Sequence, residues 1–249
     1  METAITSLYP GTKFLAALFI GITAFIVPTY WYGFAAFLVC ILLAYLAGQG
    51  TPFVKTIRNT LLILVLFMFA IRVLFSGGSH VYWAWGNMSV TQESLDGALT
   101  IVAGVLALGS ALLLFFRLTP VKDITAALEN AGMPPSATYV VLSAIQMIPE
   151  MRKQSSTIMD AQKTRGVETE GKLMTRVKAF VPTLGPLVLS SIASTEERVI
   201  TLESRAFTAK VPKTRLHTVT RRRADNVIQV VLISAFVLIL AGRIVLWLL

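Results

Sequence analysis

The sequence predicts an all-α membrane protein with about five transmembrane helices and three cytoplasmic helices, two of them long. Of the 249 residues, 55% are hydrophobic and only 14% are charged, whereas soluble domains carry about 25% charged residues. The apolar runs are long and uncharged, which favours helices over the alternating strands of a membrane barrel. Most basic residues lie in one polar segment, as they do in the cytoplasmic loops of membrane proteins.

Five apolar runs are close to the length that crosses about 30 Å of hydrocarbon. The first two are short, and Pro28 separates them. Because proline cannot continue a helix, these two runs are predicted to form a tight helical hairpin. A second break is expected from Gly48 to Pro52. The predicted spans are residues 13–27, 31–47, 59–75, 97–116 and 227–249.

The distribution of Lys and Arg predicts how these spans are oriented. Residues 73–116 contain no Lys or Arg, so the polar loop at 76–93 is expected outside the cell. Residues 117–223 hold 17 of the 22 basic residues and 9 of the 13 acidic ones, and are expected in the cytoplasm. The predicted domains are a four-helix membrane domain at 1–116, a cytoplasmic domain at 117–223 and a final transmembrane helix at 224–249.

The cytoplasmic segment has the pattern of three helices. A short helix is expected from Thr119-Pro120, with Thr119 as its N-cap, to Asn130. Two long helices follow, from about Ser136 to Arg165 and from about Leu173 to Arg205, each with apolar residues at helical spacing. Prolines inside the long helices remove backbone donors and favour kinks. These prolines are Pro149, Pro182 and Pro186.

The uncharged residues 179–195 could be mistaken for a further span. Two prolines and the basic residues near both ends argue against that interpretation. A helix with a broad apolar face and little internal protein to bury it suggests a groove for another subunit. Alternatively, the two long helices pack on each other and on the bilayer surface.

Each long helix ends in an arginine between two small residues. The first ends in Thr164-Arg165-Gly166 and the second in Ser204-Arg205-Ala206. Glycine after a helix adopts the left-handed conformation easily, and a cation in the last turn is favoured by the helix dipole, so each arginine could simply be a cap. Ala206 is a poorer helix stop than Gly166. The duplication favours a docking role, because arginine offers a rigid fork of donors to carboxylates or carbonyl groups.

With these two motifs the sequence resembles the transmembrane T component of energy-coupling factor (ECF) transporters, which import vitamins and metal ions. The resemblance rests on Ala161-Gln162-Lys163-Thr164-Arg165-Gly166 and on Glu203-Ser204-Arg205-Ala206-Phe207. It covers nearly the whole chain and is strongest from Pro134 to Phe207. Thr164 and Ser204 stand where that family usually has alanine, and Ala206 stands where it has glycine.

The resemblance implies that residues 117–223 form a coupling domain whose helix ends dock into ATPase subunits. The implied partners are two ABC-type ATPase subunits, one substrate-binding membrane (S) subunit and membrane lipid, in a prokaryotic plasma membrane. The implied function is energy coupling in an importer for a vitamin or other micronutrient. The implied ATPase-docking residues are Ala161, Thr164, Arg165, Gly166, Glu203, Ser204, Arg205 and Ala206.

No catalytic residue, cofactor or metal site is expected in this chain. It lacks the phosphate-binding loop of ATPases, and one cysteine with two histidines offers no plausible zinc or redox cluster. Arg221-Arg222-Arg223 predicts contact with anionic lipid rather than nucleic acid. Two alternatives stay open, an intramembrane enzyme and a stand-alone carrier, which would require polar groups or broken helices inside the spans.

Overall fold

The structure is a computed structural model that describes residues 7–27, 29–77, 80–85, 88–168, 173–209, 211 and 218–248. Its helices confirm the all-α membrane fold class. They are α1 (Pro10–Ile26), α2 (Tyr30–Leu46), α3 (Gly50–Phe75), α4 (Gln92–Leu118), α5 (Val121–Asn130), α6 (Pro135–Thr164), α7 (Leu173–Ser204) and α8 (Arg223–Leu248). The predicted break at Pro28 lies outside the described residues.

Helices α3 and α4 begin five or more residues before the predicted spans at 59–75 and 97–116. α3 begins at Gly50, so the expected break from Gly48 to Pro52 is wrong for residues 50–52, which are helical. Pro52 lies in the first turn of α3, where a missing backbone donor leaves no helical bond unmade. α4 begins at Gln92, because the Thr91 hydroxyl accepts from the Ser94 amide at 3.1 Å and the Ser94 hydroxyl accepts from the Thr91 amide at 3.0 Å. These reciprocal bonds cap the helix.

The loop predicted at 76–93 contains a β-hairpin. Strand β1 (Val81–Trp85) pairs antiparallel with β2 (Met88–Thr91), with Val81 opposite Thr91 and Trp85 opposite Met88. The sequence signal for it is a run of Val, Tyr and Trp before a Gly-Asn pair, which is typical of a hairpin.

Thr119 does not cap α5, contrary to the sequence prediction. The N-cap residue of α5 is Pro120, without a side-chain bond. Thr119 instead follows the last residue of α4, and its hydroxyl is buried without a hydrogen-bond partner in the described part of the chain. The end of α5 at Asn130 is confirmed, and Gly132 follows it with a φ of 104°.

The chain divides into two compact units, residues 1–131 with 219–249 and residues 132–218. The first unit is built around α4, against which α1, α2 and α3 pack. A Cβ atom on Gly33 of α2 would lie 2.8 Å from the carbonyl carbon of Ala103 on α4. Small residues let membrane helices approach this closely. The small residues buried on α4 include Ala98, Ala103, Gly104, Ala107, Ser110 and Ala111.

Polar bonds join α8 to α1 within the first unit. The fully buried carboxylate of Asp225 accepts from the backbone amides of Tyr9 and Arg222, both at 2.9 Å. The side-chain amide of Gln229 donates to the Thr12 hydroxyl at 3.0 Å. These bonds satisfy a buried charge and fix the start of the last helix against the first.

Four helices among the described residues are long and apolar enough to cross a membrane. They are α3, α4, α8 and the part of α7 from Val177 to Ser204, which is the least apolar of the four. α1 and α2 are shorter apolar helices of 17 residues each. That α7 lies outside the bilayer stays a prediction, as do the cytoplasmic limits at 117 and 223.

The second unit contains α6 and α7, of 30 and 32 residues. Both helices continue through their internal prolines, Pro149 in α6 and Pro182 and Pro186 in α7. The long helices expected from the sequence are confirmed within one residue at each end. The kinks expected at the prolines stay a prediction.

Candidate functional site: two arginine-bearing helix ends

α6 ends in a hydrogen-bonded turn that places Arg165 at its tip. The Gly166 amide donates to the Lys163 carbonyl at 3.0 Å. The Val167 amide donates to the Gln162 carbonyl at 3.1 Å. These are the two bonds of a Schellman motif, which satisfies the last carbonyl groups of a helix. Gly166 has a φ of 87°, so the predicted left-handed position is confirmed.

α7 ends in the same turn, with Arg205 in the place of Arg165. The Ala206 amide donates to the Glu203 carbonyl at 2.9 Å. The Phe207 amide donates to the Leu202 carbonyl at 3.0 Å. Ala206 has a φ of 53° and is the one residue other than glycine with a positive φ among those described. The poorer stop therefore adopts the same geometry as the better one.

The small residues before the two arginines also behave alike. The Thr164 hydroxyl donates to the Ala161 carbonyl at 2.8 Å. The Ser204 hydroxyl donates to the Thr201 carbonyl at 3.0 Å. Each hydroxyl therefore turns back onto its own helix.

Both guanidinium groups are available to a partner. Arg165 and Arg205 are exposed, and neither side chain has a hydrogen bond or ion pair within the described residues. A guanidinium carries five donors and no acceptor. The two helix ends can therefore each present a full fork of donors to carboxylate or carbonyl oxygens.

α6 and α7 run antiparallel, so the two arginines lie at opposite ends of the pair. Contacts at three levels set this register. They are Tyr139 with Phe207 at a ring-centroid distance of 5.2 Å, Glu150 with Arg198 at 2.5 Å, and Met159 with Thr183 at 3.8 Å. By this register Arg205 lies opposite the first turns of α6, about 35 Å along the axis from Arg165, at a rise of about 1.5 Å per residue.

Large apolar side chains remain exposed along both helices. The predicted apolar stripes are present, and the two helices bury only part of them, including Leu187. Exposed positions on α6 include Val140, Val141, Ile145 and Ile148, and those on α7 include Val177, Phe180, Val181, Leu184, Val188, Leu189 and Ile192. An apolar surface of this extent is typical of a site that contacts another protein or a membrane.

Two contacts that shape the second helix end were missed by the sequence interpretation. Phe207 was part of the second motif, but its partner Tyr139 lies 68 positions earlier and no local spacing connects them. Arg198 follows Glu196 and Glu197 in the sequence, and nothing in its local spacing indicates a partner on α6. Both glutamates are exposed, but Arg198 is about one-third exposed and pairs with Glu150.

Comparison with known proteins gives concordant results along the chain. The family model described as cobalt transport protein (CbiQ) matches residues 2–217. The energy-coupling factor transporter transmembrane protein EcfT of Limosilactobacillus fermentum is 33% identical over 186 residues, which cover 71% of this chain and 70% of that protein. The proteins of the same name from Lacticaseibacillus paracasei and Thermotoga maritima are 29% and 25% identical over 234 and 255 residues. These two alignments cover 90% and 98% of this chain, and 88% and 91% of the relatives.

Proposed function

The chain belongs to the cobalt transport protein (CbiQ) family of energy-coupling factor transporter components, and we propose that it transmits movements of two ATPases to a substrate-binding membrane subunit. The observation that carries this proposal is the duplicated helix end. Two identical backbone turns each present an exposed arginine, at opposite ends of one antiparallel helix pair.

The two helix ends are the proposed docking points for two ABC-type ATPase subunits. Each subunit offers a cleft with carboxylate or carbonyl oxygens, into which one guanidinium inserts. The small residues beside each arginine allow close approach, and the Schellman turns hold the tips in a defined direction. Since the tips are about 35 Å apart, one compact cleft cannot hold both, and two separate partner surfaces are required.

The exposed apolar faces of α6 and α7 are the proposed contact surface for the substrate-binding membrane subunit. Such a subunit presents apolar helices, which match these faces better than water does. A movement of either ATPase at a helix tip then shifts the surface on which the other subunit rests. The S subunit selects the cargo, a vitamin or other micronutrient, and this chain supplies the mechanical connection.

In the proposed arrangement the arginine ends lie in the cytoplasm of a prokaryotic cell, and the helices of the first unit lie in the plasma membrane. The basic tract Arg221-Arg222-Arg223 leads into α8, which begins at Arg223, and contacts anionic lipid at the cytoplasmic surface. ATP is bound and hydrolysed by the partner subunits and not by this chain.

The proposal is tested by purifying the complex in mild detergent and by measuring uptake in cells. The variant Arg165→Glu with Arg205→Glu is expected to insert in the membrane, to lose both ATPase subunits on purification and to abolish uptake. The matched control is Arg152→Glu with Lys153→Glu, which reverses two positive charges at exposed positions midway along α6, away from both tips. Normal assembly and uptake in the double arginine variant would contradict the proposal.

A further inference from the structure

The second helix end holds an unfavourable backbone conformation. Ala206 has a φ of 53°, in the left-handed region where a Cβ atom crowds the neighbouring carbonyl oxygen. Gly166 occupies the equivalent position of the first end with a φ of 87° and has no Cβ atom. Glycine adopts this conformation by its own preference. Alanine requires something else in the fold to hold it there.

The residue immediately after Ala206 supplies such a contact. The ring of Phe207 packs on the ring of Tyr139, with centroids 5.2 Å apart and an interplanar angle of 54°. This is a favourable tilted arrangement for two aromatic rings. Tyr139 lies in the second turn of α6, and both side chains are half-buried. The chain after α7 is therefore fixed to a rigid helix one residue beyond its strained position.

We propose that the packing of Phe207 on Tyr139 holds Ala206 in the left-handed conformation and thereby positions Arg205 for its ATPase partner. Phe207 and Tyr139 are positioning residues, which act on the arginine through the turn. The inference rests on the proposed docking function of Arg205. It assigns a role to two residues that lie outside the small-Arg-small pattern.

The same contact links the Arg205 tip directly to α6. The turn bonds from Ala206 to Glu203 and from Phe207 to Leu202 can form together only when Ala206 is left-handed. Loss of the ring contact is therefore expected to destabilise the turn at Ala206 and, at the same time, to remove a contact from the first turns of α6. The Arg165 tip is different, because glycine at position 166 favours the left-handed conformation by its own preference.

Hydrogen exchange of the full-length protein in nanodiscs tests the positioning contact without any partner. Phe207→Ala and Tyr139→Ala are expected to lower the protection of the amides of residues 206 and 207 about fivefold, the effect of losing one aromatic pair. Tyr139→Phe keeps both rings and is expected to leave protection unchanged. Val167→Ala, the matched change at the first end, is expected to leave the amides of residues 166 and 167 as they are.

Replacing Ala206 with glycine in the Phe207→Ala variant tests whether Phe207 acts through the turn. Ala206→Gly with Phe207→Ala is expected to recover both the amide protection and the binding of the ATPase subunits that Phe207→Ala loses. If Phe207→Ala weakens binding but leaves protection unchanged, or if glycine restores neither, Phe207 does not act through the turn and the inference is wrong. If Arg205→Glu leaves ATPase binding intact, the proposed docking function is wrong. Hydrogen exchange is measured without the ATPase subunits, so it tests the ring contact independently of that outcome.

Discussion

The two helix ends reach one geometry by different means. Both form the same pair of turn bonds, both have a hydroxyl turned back onto the helix, and both leave an arginine exposed. At the first end the residue after the arginine is glycine, which favours the required conformation intrinsically. At the second end it is alanine, and an aromatic contact to α6 accompanies the strained backbone. The two ends are more alike in backbone conformation than in amino-acid sequence, which indicates that the shape of the tip matters.

The ends also differ in the charge beside the arginine. Lys163 and Glu203 occupy the same position, two residues before the arginine, and both are exposed. Charges at the rim of an interface influence the rate and salt dependence of association more than its strength. The arginines are therefore expected to contribute similar binding free energy at both ends, although the neighbouring charges have opposite signs.

The largest expected effect is that of reversing each arginine alone. Arg165→Glu and Arg205→Glu should each weaken the binding of purified ATPase subunits to the protein in nanodiscs by about 2 kcal/mol or more, because each leaves a charged acceptor in the partner without its donor. Similar losses would support two equivalent docking points. Arg152→Glu is the control. If either single arginine variant binds the ATPase subunits fully, the helix end that carries that arginine is not a docking point.

The second effect concerns the glycine of the first end. Gly166→Ala forces a Cβ atom into the left-handed turn at φ 87° and should destabilise the tip of α6 by about 1 kcal/mol. Hydrogen exchange at the Val167 amide measures this change directly. The tip of α7 should be unaffected, and unchanged protection at Val167 would mean that the first end does not depend on its glycine.

The third effect has the opposite sign. Ala206→Gly removes the strain at the second end and should stabilise the tip of α7 by about 0.5 to 1 kcal/mol. The gain is partly offset because glycine increases the entropy of the unfolded chain. Increased protection of the Phe207 amide is the expected result, whereas lower protection would show that alanine is not strained at this position.

The smallest effect is expected from the ion pair between the helices. Glu150→Gln removes the pair with Arg198, whose two side chains are 44% and 35% exposed. Solvent screens a pair of this exposure, so the loss in protection along α7 should stay within about 0.2 to 1 kcal/mol. The tip of α6 should not change at all. A loss as large as that of Gly166→Ala would show that α6 and α7 depend on this pair for their register.

Helix type and length could be predicted from the sequence because the patterns are local. The periodic apolar residues of α6 and α7 and the glycine at position 166 determine those helices within a few residues. The starts of α3 and α4 were misplaced, because Pro52 suits a first helical turn and the cap at Thr91 lies in a polar stretch. The contact between Phe207 and Tyr139 could not be predicted, since it depends on the antiparallel register of two long helices.

The most direct test of the docking role is site-specific photo-crosslinking in the assembled transporter. A benzophenone side chain is placed at Thr164 and, separately, at Ser204, each next to an arginine. The controls are Thr157 and Glu197, two turns earlier on the same helix faces and also exposed. Crosslinks from both tips to ATPase subunits, absent from both controls, are the expected result. Crosslinks from the tips only to lipid or to the S subunit would contradict the assignment of these helix ends as the points where ATPases act.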